Sequence, residues 1–290
     1  MRLGAHLSTA GGLSTALDRA RELRCTAVQI FTHSRAQWRM PPLDAAQVER
    51  FRRLAREQGP YALAAHASYL INVASPERAL RERSIRTLTA EVRHCATLGI
   101  PLLVFHPGAH MGAGERRGIA RVARALDRVF AATADCDVAV ALETTAGQGT
   151  GLGHRFSQLA EILARLAAPA RARICFDTAH AFAAGYELRR PEQYTALWER
   201  FDQRLGLDRL ALFHFNDSRT PCGSRVDRHA HIGRGEIGSR PFGWLLADAR
   251  FARVPKVLET PKENEMDRRN LRLLRRLATM TPRHRGRPRS

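Results

Sequence analysis

The chain has 290 residues, of which 44% are hydrophobic, and a formal net charge of +19. That is enough apolar material for one large domain or two ordinary ones, while no stretch reaches the roughly 18–20 apolar residues of a membrane span. The five cysteines, Cys25, Cys95, Cys136, Cys175 and Cys222, are widely spaced with no C-x-x-C, which argues against a disulfide framework and a cysteine zinc knuckle and fits a reducing cytoplasm.

The first residues, Met1 to His6, carry no apolar run of signal-peptide length. The only lysines are Lys256 and Lys262, so the positive charge is almost all arginine. Arginine forks match phosphate oxygens, and a polyanion such as nucleic acid is the favoured partner. Base composition of the genome is a blander source of the same arginines, and charge alone names no chemistry.

A strand-then-helix rhythm runs the length of the chain. Short apolar runs predict strands over residues 3–6, 27–32, 63–67, 102–106, 138–144, 174–178, 210–216 and 256–260. Helices are predicted between and after them. The first covers 14–23. The second covers 44–57, with Asp44 as N-cap behind Pro41 and Pro42. The third covers 76–98, with Ser75 as cap, Pro76 at its first position and a buried stripe of Ile85, Leu88, Val92 and Cys95. Others follow over 118–132, 157–166, 191–205, 240–248 and 264–278. Parallel neighbours need crossovers, and eight βα units in this length predict an α/β fold, a (β/α)8 TIM barrel, over residues 1–280 as one domain. A doubly wound open sheet is the alternative.

Polar residues at the strand ends favour the barrel. His66, His106, Glu143, Asp177, His214 and Glu259 each close a predicted strand, His180 follows Asp177 by three residues, and the loop after His214 brings Asp227 and His229. In a barrel these ends converge on one mouth. Any one of them has a dull reading as a satisfied core histidine or a solvated loop acid. Nine together form a cluster that needs cations, because packed carboxylates repel and buried histidines lose solvation. One tetrahedral zinc takes about four ligands, so the set suits two or three ions with a bridging carboxylate. Its histidine content favours zinc or manganese over magnesium or calcium.

The motifs carrying these residues are specific. They are G-A-H-L-S-T-A-G-G-L, S-Y-L-I-N, F-H-P-G-A-H, E-T-T-A-G-Q-G, D-T-A-H-A-F-A-A-G-Y, H-F-N-D-S and G-S-R-V-D-R-H. In them the chain resembles the endonuclease IV family of apurinic/apyrimidinic (AP) endonucleases over nearly its whole length. The resemblance implies three zinc ions per chain, with manganese able to take one position. His66, His106 and Glu143 would hold one ion. Glu143 would bridge to a second, shared with Asp177, His214 and Glu259, and His180, Asp227 and His229 would hold the third. The implied reaction is hydrolysis of the phosphodiester 5′ to an abasic site in double-stranded DNA, leaving a 3′-hydroxyl and a 5′-deoxyribose phosphate. Removal of blocking groups from 3′ ends is implied as well. Zinc activates water for attack on phosphorus, and Glu143 is the expected catalytic residue. His6 also ends a strand at the mouth; contact with a ligand or with substrate is expected there, not ligation. A monomer that works in the cytoplasm, on the nucleoid while acting on DNA, is implied too.

Tyr69 and Leu70 match the family's inserting pair, a wedge that unstacks bases; core packing is the bland alternative for Leu70. Arg35 and Gln37 are expected DNA contacts. The loop departs from the family pattern there, because Ala36 stands where an arginine precedes the Gln-Trp pair, and Ala67 replaces an acid found in some relatives. The rival enzyme class is a metal-dependent sugar isomerase or epimerase. It needs fewer ligands, and the set His180, Asp227 and His229 together with Tyr69 and Leu70 argues against it. A barrel that binds DNA without cutting it would lack part of the ligand set.

Residues 281–290, T-P-R-H-R-G-R-P-R-S, read as a disordered basic arm for phosphates, with a weak likeness to an AT-hook. Deleting them is expected to weaken DNA binding and to flatten the dependence of log K on log salt, with turnover at saturating DNA unchanged. A salt titration of wild type and truncated chain checks this.

Overall fold

The computed structural model describes residues 1–59, 61–263 and 265–280. Eight parallel strands close a barrel: β1 (Leu3–His6), β2 (Ala27–Ile30), β3 (Ala62–His66), β4 (Leu102–Phe105), β5 (Ala139–Glu143), β6 (Ala172–Asp177), β7 (Leu210–His214) and β10 (Lys256–Leu258). Each pairs with its neighbours in sequence, and β10 closes the ring between β7 and β1. Helices α1 (Thr15–Glu22), α2 (Ala45–Gln58), α3 (Arg78–Leu98), α4 (Glu115–Ala132), α5 (Phe156–Ala164), α7 (Pro191–Leu205), α8 (Arg240–Ala247) and α9 (Met266–Met280) surround it. The open-sheet alternative is thereby excluded.

All eight predicted strands form, most of them ending one or two residues earlier than expected. Asp44 caps α2 by accepting from the Gln47 amide at 2.9 Å. The start of α3 is a correction. Glu77 is its N-cap residue, without a side-chain bond, and Ser75 Oγ accepts the Glu77 amide at 3.1 Å two residues upstream. The last helix begins at Met266; position 264, where the sequence reading began it, and the tail 281–290 lie outside the described residues. Three short elements carry no period that a sequence scan can see. They are α6 (Thr178–Ala183) and the antiparallel pair β8 (Asp217–Ser218) and β9 (His229–Ala230).

Side chains on a strand alternate between faces, and that parity builds the site. Ala27, Ala64, Val104, Ala141, Cys175, Leu212 and Val257 fill the barrel interior. On β1 the interior position is Gly4, where any Cβ would meet the Ala27 carbonyl oxygen at 1.6 Å. Two residues further along, on the same inward face, stand Gln29, His66, His106, Glu143, Asp177, His214, Glu259 and His6. The floor is small and apolar, and the layer above it is polar on every strand. The larger apolar core lies outside, between strands and helices, and includes the α3 stripe Ile85, Leu88, Val92 and Cys95. It leaves the mouth free for chemistry.

Candidate metal centre and DNA-facing rim

Glu143 is fully buried at the centre of the mouth. Its two oxygens address different partners. Oε2 lies 3.1 Å from His66 Nε2 and 3.3 Å from His106 Nε2. Oε1 lies 3.0 Å from His214 Nδ1 and 3.1 Å from His180 Nδ1. One carboxylate therefore spans two halves of the site, one oxygen to each. Glu259 Oε2 joins from just after β10, 3.1 Å from His214 Nδ1.

The third cluster is assembled by the short elements. Asp177 caps α6, accepting the His180 amide at 2.7 Å, and that turn carries the His180 ring over the mouth. The pairing of β8 with β9 sets Ser218 opposite His229 and returns the loop to the site. Asp227 then lies 3.1 Å from His180 Nε2 and 3.4 Å from His229 Nε2.

Among the described residues, four groups have potential ligand atoms within 4.8 Å of one another: His66, His106 and Glu143; Glu143, Asp177, His214 and Glu259; Asp177, His180 and His229; and Glu143, Cys175 and His214. The first two coincide with the expected sets. The third takes Asp177 into the trio, with the half-exposed Asp227 alongside. Cys175 also approaches Glu143 and His214; it was not singled out from the sequence because it looks like barrel filling.

The donor set fits metal ions. A ligating imidazole gives its outer N–H to an oxygen, which fixes the tautomer and turns the other nitrogen's lone pair inward. Four of the five rings have that outer acceptor. They are the Ala67 carbonyl for His66 Nδ1 at 2.7 Å, the Thr144 carbonyl for His180 Nδ1 at 2.9 Å, the Glu259 carbonyl for His229 Nδ1 at 3.2 Å and Gln29 Oε1 for His214 Nε2 at 2.9 Å.

Electrostatics point the same way. Burial pushes the Glu143 carboxyl up, but the His214 and His106 charges and the hydrogen bonds from His106 and His180 outweigh it and hold the group well below the carboxylate range. Glu259 is lowered likewise, against burial, by His214, His6 and His66. Burial lowers His180, yet Asp177, Asp227 and Glu143 raise it well above its ordinary value. His214 is raised against burial by Cys175, Glu259 and Glu143. The carboxylates and the imidazoles thus favour each other's charged forms.

Several supporting residues were missed. Gln29 donates to Glu259 Oε1 at 2.7 Å while accepting from His214, so one amide orients two candidate ligands. Asn216 donates to Asp177 Oδ2 at 2.6 Å and accepts the Glu259 amide at 2.8 Å. Strand parity was a usable signal for both, Gln29 counted from Ala27 and Asn216 from Leu212 and His214. His6 lies 2.8 Å from Glu259 Oε1, against a candidate ligand. Burial brings its pKa down to about 4, against the bond to Glu259. Three further histidines, His110, His154 and His231, make local contacts. His110 Nδ1 accepts the Gly114 amide, His154 Nδ1 meets the Gly151 carbonyl, and His231 lies between Asn270 and Glu263.

Tyr69 stands on the rim, 53% exposed, its ring 5.3 Å from that of His66 and 6.1 Å from that of His106. It lines both a cavity of about 890 Å³ that reaches His6 and Glu259 and one of about 290 Å³ that reaches His106, His180 and Asp227. The Arg35 guanidinium lies 5.8 Å from both the Tyr69 and Phe31 ring centres. Gln37 is exposed, and Leu70 is half-buried beside Tyr69.

Residues 17–277 match the family described as xylose isomerase-like TIM barrel. The chain is 47% identical to a probable endonuclease 4 of Geobacter sulfurreducens over 95% of its own length and 94% of the relative's. It is 45% identical to one of Chloroflexus aggregans over 97% and 99%. The chain belongs to the endonuclease IV family of AP endonucleases. The crystal structure of endonuclease IV from Thermus thermophilus superposes with a TM-score of 0.87 at 35% identity, covering 96% of this chain and 99% of that one. Proteins of this family are DNA-repair nucleases, and the chain is an enzyme of that class, a phosphodiester hydrolase. A D-tagatose 3-epimerase-like protein shares the fold alone, with a TM-score of 0.75 at 17% identity. No helix among the described residues is long and apolar enough to cross a membrane.

Proposed function

We propose that this endonuclease IV relative hydrolyses the phosphodiester 5′ to an abasic site in duplex DNA, leaving a 3′-hydroxyl and a 5′-deoxyribose phosphate, and that it clears blocked 3′ ends at the same site. Residues 1–280 act as a single catalytic domain. The observation that carries the reading is Glu143, whose two oxygens address the two histidine pairs separately.

Three zinc ions fit the donor set. His66, His106 and Glu143 would hold one, Glu143, Asp177, His214 and Glu259 the second, and His180, Asp227 and His229 the third, with Asp177 close to the last. Bound zinc supplies an activated water and charge neutralisation on phosphate oxygens. The chain's own contribution is orientation. Gln29 and Asn216 hold Glu259, His214 and Asp177 in register, and the outer carbonyls hold the His66, His180 and His229 rings. His6 steadies Glu259. Where a base is missing, the Tyr69 ring can enter the stack with Leu70 behind it, while Arg35 and Gln37 face the backbone.

The test is an end-labelled duplex with one tetrahydrofuran abasic analogue, which blocks β-elimination so that only hydrolysis can cut. A single cut directly 5′ of the analogue is expected; an uncut duplex would refute the reading. Tyr69→Ala is expected to weaken binding of this duplex by about tenfold to a hundredfold, the range of one lost base–aromatic stack. Its zinc content should stay at the wild-type level. Equal binding by the variant would remove the wedge role.

A further inference from the structure

Glu91 is a fully buried carboxylate outside the metal cluster. It interrupts the apolar stripe of α3, directly before Val92. Burying a carboxylate is costly unless its oxygens are used; Glu91 Oε2 has no hydrogen-bond partner among the described residues, and Oε1 is used twice. It lies 2.8 Å from His33 Nε2, on the loop after β2, and accepts the Ser68 amide at 3.0 Å, on the loop after β3. His33 and Glu91 shield each other, with side-chain exposures of 3% and 1%. Ser68 Oγ donates in turn to the Arg35 carbonyl at 2.7 Å. These are the two loops that present Arg35, Gln37, Tyr69 and Leu70, and above the tie the Arg35 guanidinium lies over Tyr69. One helix residue beneath the rim therefore fixes both loops to each other.

We propose that Glu91 is a positioning residue that joins the two loops into one preorganised DNA-reading unit, so that Tyr69 is held ready before the lesion arrives. This rests on the reading of Tyr69 as the wedge. A side chain ordered in advance leaves less entropy to be lost on binding. Glu91 acts through His33 and Ser68 and does not touch the cluster, so its effect falls on lesion affinity and not on the chemical step.

The experiment uses the full metal-loaded chain and the tetrahydrofuran duplex, with KM, turnover at saturation, zinc content and amide hydrogen exchange measured for Glu91→Ala, Glu91→Gln and Tyr69→Ala. For Glu91→Ala the expected results are a KM raised about tenfold, turnover within about twofold of wild type, unchanged zinc, and faster exchange at residues 33–37 and 68–70. Glu91→Gln keeps one oxygen, which in the place of Oε1 can accept from both the Ser68 amide and the His33 Nε2–H; its KM should return to near wild type. In a Tyr69→Ala background the effect of Glu91→Ala should largely vanish, because coupled residues are not additive.

Unchanged exchange at both loops, or an unchanged KM in Glu91→Ala while Tyr69→Ala raises it, would overturn the proposal and leave the wedge reading standing. A KM unchanged in both variants would remove the wedge reading and the proposal with it. A Glu91→Ala effect that falls equally on turnover, or that Glu91→Gln does not rescue, would assign Glu91 a general structural role and overturn the proposal.

Discussion

Glu143→Gln is expected to lower turnover on the tetrahydrofuran duplex by about a thousandfold or more. The substitution keeps the shape of the side chain but replaces one oxygen by an amide that only donates. Because Oε2 faces His66 and His106 while Oε1 faces His214, the one oxygen of a glutamine can serve one side only. At the other its N–H would occupy the lone pair that a metal needs. Metal ions contribute several kcal/mol of transition-state stabilisation, and each 1.36 kcal/mol is a factor of ten in rate. Zinc content should fall by at least one ion per chain while the circular dichroism spectrum is retained. Single-turnover kinetics and elemental analysis on the same sample check this; turnover within about tenfold of wild type would contradict it.

Asp217→Ala is expected to have the largest effect on stability. Asp217 is fully buried, and its carboxylate accepts from the amides of Ser218 at 2.8 Å, Gly233 at 2.9 Å, Gly235 at 3.0 Å and Ile237 at 2.9 Å. The fit is close enough that a Cβ on Gly235 would lie 2.6 Å from the Asp217 Oδ1 and 2.3 Å from the Ser218 carbonyl oxygen. Alanine would strand these N–H groups. Each lost bond costs about 1 kcal/mol or more when the donor stays buried, so a loss of about 3–5 kcal/mol is expected in urea unfolding. Asp217 lies in β8, whose partner β9 begins with His229, so the variant should also lose zinc from the third cluster. An unchanged urea midpoint would show that the loop is held by other contacts.

The candidate ligands were legible because two independent regularities coincide on them. Each of His66, His106, Glu143, Asp177, His214 and Glu259 closes an apolar run, and each stands two residues beyond a residue that fills the barrel interior. The alternation within a strand and the convergence of strand ends in a barrel turn those sequence positions into one place. Gln29 obeys the same parity, but an amide inside A-V-Q-I-F reads as an ordinary strand residue until its contacts to His214 and Glu259 are visible. Glu91 was hidden differently: its neighbours on α3 carry the apolar stripe, and only the folded chain brings His33 and Ser68 to it. The pair β8 and β9 has two residues per strand, too few for any period, and the cap of α3 went astray because Ser75 and Pro76 imitate a helix start two residues early. What the sequence withheld was partnership across distant segments, which has no local pattern.

We propose the buried histidine and carboxylate cluster as the metal centre that cuts DNA beside an abasic site. Its most direct test is the tetrahydrofuran duplex incubated with chain stripped of metal and then given zinc in known equivalents. No incision by the stripped chain is expected, and the single 5′ cut should return as zinc is restored, complete at about three equivalents. Full incision by the stripped chain, or a stripped chain that binds zinc and still leaves the duplex uncut, would contradict it.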